Sequence, residues 1–461
     1  MRLGIRGEMR ALLLAVGGVA VACSGRVAGI GDDGGLSSSS SGSGSSGGSS
    51  SGVVSGSTGG GNSGSTGGST SSGGSSGSTS SGGTGSNGGS TSGGGTGSSG
   101  GSSSGGGVGS SSGGPDLCSA PGVCNEPPAA PSGPPTSISA AHDYAIRTLF
   151  LGDTDRSGVS TPTAWRSFGY DLDGKLTIAQ STDVCILPAG AAKVVQIDGN
   201  GGIDNSWGAN IVPIMETLNS TFSQSVNASI QAGGPTQLFY VVGFDDSAGN
   251  MTTAAGLSGL TLATAPFSTN GGNGPTWNTS THWPIAPEYM TGCTLSGGCA
   301  AGTDPLQAAQ IRFPAAFQVG GTFATGTPVD IALQIALGGQ PMILTLHQAV
   351  VTFAPSSPGA VTNGTIAGVL NTQEFIAQLQ LVAGRISTSL CSGSAFQSIA
   401  TQIQQTSDIV LNGSTVSNPP GVMCNAISIG LGFDATEVAV PVPADIAGPQ
   451  PTPPNPCGDG G

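Results

Sequence analysis

From Leu36 to Gly114 the chain is almost wholly Ser, Gly and Thr, without one charged residue. This run constrains the fold more than any other feature. It cannot bury enough apolar surface to offset the entropy of ordering it, so it is expected to be a disordered linker. About 80 residues of such coil reach roughly 50 Å, the scale of a tether. Residues 23–114 are therefore assigned to the tether and 115–138 to a Pro-rich stalk. Residues 139–461 form the body, long enough for one large domain or for two subdomains with a boundary near 255–275.

Ahead of the tether, Arg2, Arg6 and Arg10 flank the apolar run "ALLLAVGGVAVA", 11–22, which is too short to span a bilayer. It ends in Ala20-Val21-Ala22-Cys23. This resembles the lipobox of bacterial lipoproteins, with Ala20 where leucine is usual. The resemblance implies that residues 1–22 are a signal peptide, that Cys23 is acylated, and that Ser24 directs the protein to the outer membrane or cell surface. The membrane partner would then be met through a lipid anchor alone. An ordinary secretory signal cut near Ala22 is the alternative.

The chain carries 25 acidic and 11 basic residues, a net charge of −14. It has no electrostatic footprint for nucleic acid, whereas calcium would be attracted. Apart from Cys23, eight of the nine cysteines remain. In an oxidising compartment an even set reads as disulfides. Cys118/Cys124 and Cys293/Cys299 share a C-x5-C spacing suited to local loops. Cys391/Cys424 is expected to tie a helix end to a late strand, which leaves Cys185/Cys457. There is no CxxC or Cys–His cluster to suggest a zinc site.

Within the body, alternation or apolar bunching predicts strands in "HDYAIRTLFLGD", 142–153, in 191–201, in "TQLFYVVGF", 236–244, and in 424–433. Residues 329–354 read as a hairpin turning at Gly338-Gly339. Trp207, Ile211, Met215, Leu218 and Phe222 recur at helical spacing, with Asn205 or Ser206 as N-cap and Pro213 as a kink or a limit. Asn371 with Glu374 is a capping-box pattern opening one helix, and Ser394 with Gln397 opens a second. The expected fold is mainly β, a β-sandwich with a few packed helices.

Nucleophile and phosphate motifs fail. G-x-S-x-G occurs only in the linker, H-E-x-x-H is absent, and His142, His282 and His347 are far apart in sequence. Carboxylates remain. Asp153-Thr-Asp155-Arg-Ser157-Gly158 resembles the start of an EF-hand or dockerin loop, but its twelfth position is Ala164. Asp171-Leu-Asp173-Gly174 is a second Asp/Gly loop. Asp198-Gly-Asn200-Gly-Gly-Ile-Asp204-Asn205 resembles half of a thrombospondin type 3 calcium repeat. Calcium wants six to eight oxygens, which alternating Asp and Asn in a glycine-bent loop can aim at one point. The same residues are also ordinary turn formers. The candidate calcium ligands are Asp153, Asp155, Asp171, Asp173, Asp198, Asn200 and Asp204. Trp277, Trp283 and Tyr289, in a polar Pro/Thr-rich loop, are candidates for stacking on a glycan, or else plugs on the core.

The lipobox, tether, acidic disulfide-bearing body and Asp/Gly loops together resemble bacterial surface lipoproteins of myxobacterial type. That resemblance is architectural and implies no activity. The expected function is a surface-anchored, non-catalytic, calcium-stabilised lipoprotein that binds a glycan or a protein. An extracellular glycan-acting hydrolase is the alternative, its carboxylate pair drawn from the Asp loops, Asp245-Asp246 or Glu288. A structural envelope protein is the third reading.

Overall fold

The computed structural model describes residues 118, 124–135, 137–190, 194–247, 249, 251–267, 274–391, 393–449 and 454–457. The expected signal peptide, Cys23 and the expected tether lie outside the described residues, as do 268–273 within the expected boundary. The strands are β1 (Ala141–Phe150), β2 (Gln237–Val242), β3 (Ala254–Ala263), β4 (Ile311–Val319), β5 (Thr322–Ala324), β6 (Val329–Leu337), β7 (Gln340–Ser357), β8 (Ala360–Asn371), β9 (Val410–Asn412), β10 (Thr415–Ser417) and β11 (Ala426–Glu437). The helices are α1 (Val212–Leu218), α2 (Phe222–Gln231), α3 (Pro305–Ala308), α4 (Thr372–Ile386) and α5 (Ser394–Gln404).

The expected sandwich is corrected to a closed barrel. Eight antiparallel strands run β5-β4-β3-β2-β1-β11-β8-β7, and β5 pairs with β7 to close the ring. Closure depends on two strands of unequal length. β5 has three residues and bonds both β4 and β7, with Phe323 opposite Phe353. β7 has 18 residues, so its first half also pairs with the extra strand β6 while its second half closes the barrel. A sandwich would leave edges on both sheets. Here the edges meet.

Eight strands enclose a space that side chains can fill. Phe353 occupies its middle, with ring centroids 4.6 Å from Phe323, 5.5 Å from Phe244, 5.8 Å from Tyr144 and 6.1 Å from Phe239. The same apolar core continues to α1, α2, α4 and α5 through Met215, Val226, Phe375 and Phe396. The outer face of β1–β3 is buried as well. Ala145, Leu238, Leu260 and Leu262 lie under Trp283, Ile285 and Met290. Burial on both faces explains why β2 reads as a continuous apolar run.

α4 starts where the sequence says. Asn371 accepts hydrogen bonds from the backbone N–H of Gln373 and Glu374, and Phe375, Leu379 and Val382 are buried. The helix expected over 205–222 is broken. Asn205 caps it through the Gly208 N–H (2.9 Å), but residues Trp207–Ile211 form a π-helical turn and a break at 219–221 separates α1 from α2. Pro213 lacks an N–H and lies where the π-helical turn runs without interruption into α1. The strand expected over 191–201 is also corrected. Residues 194–199 are irregular, and at their end Asp198 N donates to Thr177 O and Gly199 N to Ile203 O, outside any sheet.

Four disulfides are present among the described residues, which fits an oxidising environment for the body. Cys118–Cys124 and Cys293–Cys299 join as expected. The two long-range pairs are corrected to Cys185–Cys424 and Cys391–Cys457. The backbone decides this: Ile186 donates to Val422 O (2.7 Å) and Cys424 donates to Ile186 O (2.9 Å), bringing the two cysteine Cα atoms to 5.3 Å. No helix among the described residues is long and apolar enough to cross a membrane.

Candidate metal centre

Two irregular segments, 168–177 and 198–206, lie against each other through backbone hydrogen bonds. Asp204 donates to Tyr170 O at 3.0 Å and Asp198 donates to Thr177 O at 3.0 Å. The segment after Cys124 joins them. Asn125 donates to Gly201 O (2.7 Å) and accepts from Asp171 N (2.9 Å). Gly202 makes this closeness possible. It adopts φ +78°, and a Cβ there would crowd Lys175 O, Cys124 Sγ and Asp171 Oδ2.

The result is a gathering of carboxylates. Oxygens of Asp171, Asp173 and Asp204 lie within 4.8 Å of one another. Asp171 is 4% exposed and Asp204 3%. One oxygen of each is held by a backbone donor: Gly174 N to Asp171 Oδ1 (2.8 Å), Lys175 N to Asp173 Oδ1 (2.8 Å) and Leu172 N to Asp204 Oδ2 (2.7 Å). Asp171 Oδ2 and Asp173 Oδ2 are buried with no hydrogen-bond partner. Asp198, which accepts from Thr177 N, adds a fourth carboxyl group.

Asp408 is a fifth. It is held by Ser428 N (2.9 Å) and Ser428 Oγ (2.5 Å). Burial pushes Asp198 up to about 9, against the Thr177 hydrogen bond and with help from the charges of Asp173, Asp408 and Asp171. Burial also raises Asp408 to about 7 and Asp171 to about 6, opposed by their backbone and serine donors. Asp204 is raised by burial and then by Asp173, Asp198 and Asp408. Among the described residues Lys175 is the one cation whose charge acts on Asp173, where it opposes the rise caused by burial. Lys175 Nζ donates to Asp183 O (2.5 Å) and Asn418 O (2.8 Å).

An all-oxygen donor set with two partnerless buried oxygens suits a hard divalent cation. Such an ion would supply the positive charge that these groups lack. Of the expected ligands, Asp171, Asp173 and Asp204 converge, with Asp198 beside them. Asp153, Asp155 and Asn200 do not. Asp153 accepts from Ser223 Oγ (2.7 Å). Asp155 closes its own turn by accepting from Ser157 Oγ, Ser157 N and Val159 N, and the Ser157 bond foremost holds its carboxyl below the usual range. Asn200 is exposed and donates to Ser167 Oγ (3.3 Å). Asp408 carries no motif and lies more than two hundred residues away in sequence, so only the fold brings it in.

A cavity of about 360 Å³ adjoins the cluster. Val184, Ile186, Leu187, Pro188 and Val195 give it apolar walls, and Thr177, Asp408 and Asn418 line its side toward the acids. Its surroundings include exposed Ile186 (53%), Val194 (55%) and Met423 (57%). The aromatic candidates sit elsewhere. Trp283 and Tyr289 are buried, so they plug the loop onto the barrel. Trp277 is half-buried, its ring 5.0 Å from Trp283 and under Arg147. The histidines are separate, each with its own carboxylate partner. No family model, curated protein or solved structure matches this chain.

Proposed function

We propose that this protein is a surface-anchored, non-catalytic lipoprotein whose barrel is stabilised by calcium and binds a protein ligand at its side cavity. The observation that carries the reading is the convergence of Asp171, Asp173 and Asp204, with buried Oδ2 atoms of Asp171 and Asp173 lacking donors. A cation there would fix segments 168–177 and 198–206, and Thr177 belongs both to the cluster and to the cavity wall. Asn418 links them again, since its carbonyl accepts from Lys175, which follows the cluster's second loop, and its side chain accepts from Cys185 N in the wall. Apolar walls favour an apolar side chain over a sugar, whose hydroxyls would lose their water partners there. Residues 20–24, which resemble a lipobox, support the lipid anchor.

Melting temperature with calcium and with chelator tests the reading. At calcium a hundredfold above its dissociation constant, linkage amounts to about 2.7 kcal/mol, a shift of a few degrees. Asp173→Asn should abolish the shift and Asp153→Asn should keep it. No shift in the wild type, or an equal shift in Asp173→Asn, sinks the calcium reading. For the cavity, Val195→Arg should abolish binding of displayed apolar peptides selected on the wild type.

A further inference from the structure

At one end of the barrel three side chains from different segments meet. His142 stands at the start of β1, Asp246 in the loop after β2, and Glu437 at the end of β11. His142 Nδ1 is 2.8 Å from Glu437 Oε1 and 3.7 Å from Asp246 Oδ2. The three candidate ligand atoms lie within 4.8 Å of one another. Their side chains are 14%, 25% and 20% exposed, so solvent reaches the group.

A second observation comes from beneath. Tyr144 lies two residues beyond His142 on the same face of β1, and the two rings stack at 5.9 Å. In the ladder Tyr144 is the direct partner of Glu437. Phe244, two residues before Asp246, packs on the Tyr144 ring at 6.3 Å. Tyr144 is fully buried, and its hydroxyl has no hydrogen-bond partner. A buried phenol rarely lacks a partner, so the orphan hydroxyl points to a ligand shell that the side chains alone leave incomplete.

We propose that His142 Nδ1, Asp246 and Glu437 bind one divalent transition-metal ion of the zinc class, with a coordination position left open to water. The donor set separates this site from the all-oxygen cluster. Imidazole nitrogen suits zinc, copper, iron or nickel and is foreign to calcium. The spacing fits as well. Tetrahedral ligands bound at about 2.0–2.1 Å stand roughly 3.3 Å apart, and the two observed separations bracket that value. Three protein ligands with solvent access match an open zinc site. Tyr144 would offer its hydroxyl to the bound shell. The ion would clasp the first and last strands of the barrel to the loop after β2.

Cobalt(II) is the probe. The full exported chain, stripped with chelator, should develop the visible bands of tetrahedral Co(II) at one equivalent. Zinc should bleach them, and excess calcium should not. His142→Ala should lose the bands, and Asp173→Asn, in the oxygen cluster, should keep them. If His142→Ala fails to fold, Asp246→Asn carries the test, because its side chain lies in a loop rather than a strand. A wild type without tetrahedral bands would overturn the site, as would bands unchanged in either ligand variant.

Discussion

Asn205 and Gly430, 225 residues apart, hold each other by two hydrogen bonds. Gly430 N donates to Asn205 Oδ1 at 3.0 Å, and Asn205 Nδ2 donates to Gly430 O at 3.0 Å. The same amide donates to Trp165 O and Phe168 O at 3.1 Å and accepts from Gly208 N at 2.9 Å. In sequence Asn205 ends a stretch resembling a calcium loop. In the fold its side chain is fully engaged with backbone, pinning the acidic segment to β11.

Asn205→Asp keeps the shape but loses every amide donor and buries a charge among carbonyls. We expect destabilisation on the order of 3 kcal/mol or more, read from denaturant midpoints. Asn205→Ala should cost a similar amount by orphaning the same backbone groups. A midpoint unchanged in both variants would remove Asn205 as a structural pin.

The acid cluster should make the chelated protein sensitive to alkali. The folded-state values of Asp171, Asp408 and Asp198 are raised to about 6, 7 and 9 from an ordinary 3.8. A raised carboxyl favours folding fully below about pH 4, and that contribution is lost as pH climbs through each folded value. Chelated protein should therefore melt lower at pH 9 than at pH 5. Calcium should narrow the gap, because it stabilises the charged forms, and its binding should release protons. A flat melting profile in chelator would contradict the burial of these groups.

His347 links β7 to the start of α4. Its Nδ1 lies 3.0 Å from Asp330 Oδ2 and its Nε2 2.9 Å from Glu374 Oε2. Burial alone would lower its pKa, but the two carboxylates outweigh burial and raise it above 6.5. The stabilisation is present below pH 6.5 and is lost as pH rises through the folded value. Both partners are more than half exposed, so the gain is at most about 1 kcal/mol. Ring-proton NMR should show the His347 titration moving down in Glu374→Gln. An unmoved titration would mean the contact does not persist in solution.

Non-reducing peptide mapping should recover Cys185–Cys424 and Cys391–Cys457, with no Cys391–Cys424 fragment. Cys185→Ser with Cys424→Ser opens a link spanning 239 residues. It should cost roughly 2–5 kcal/mol and loosen the cavity wall. A Cys391–Cys424 fragment would refute the Ile186–Val422 backbone pairing as well.

By itself the sequence determined the local features. β1, β2, the β6–β7 hairpin and β11 announced themselves because apolar bunching or alternation is a property of the strand alone. The Asn371 cap and the two C-x5-C bridges were legible because their partners are a few residues away. β3, with two internal glycines, β4, with Pro314, and β8 gave no comparable local signal. Tertiary structure alone decided between sandwich and barrel, since both bury the same alternating faces. The difference rests on one three-residue strand, β5, bonding β4 and β7. It also decided which acids gather. Asp171, Asp173 and Asp204 meet, Asp408 joins them, and Asp153 and Asp155 stay in their own turns. A carboxylate's role follows from burial and from which donors reach it, and both depend on chain packed against it from far along the sequence.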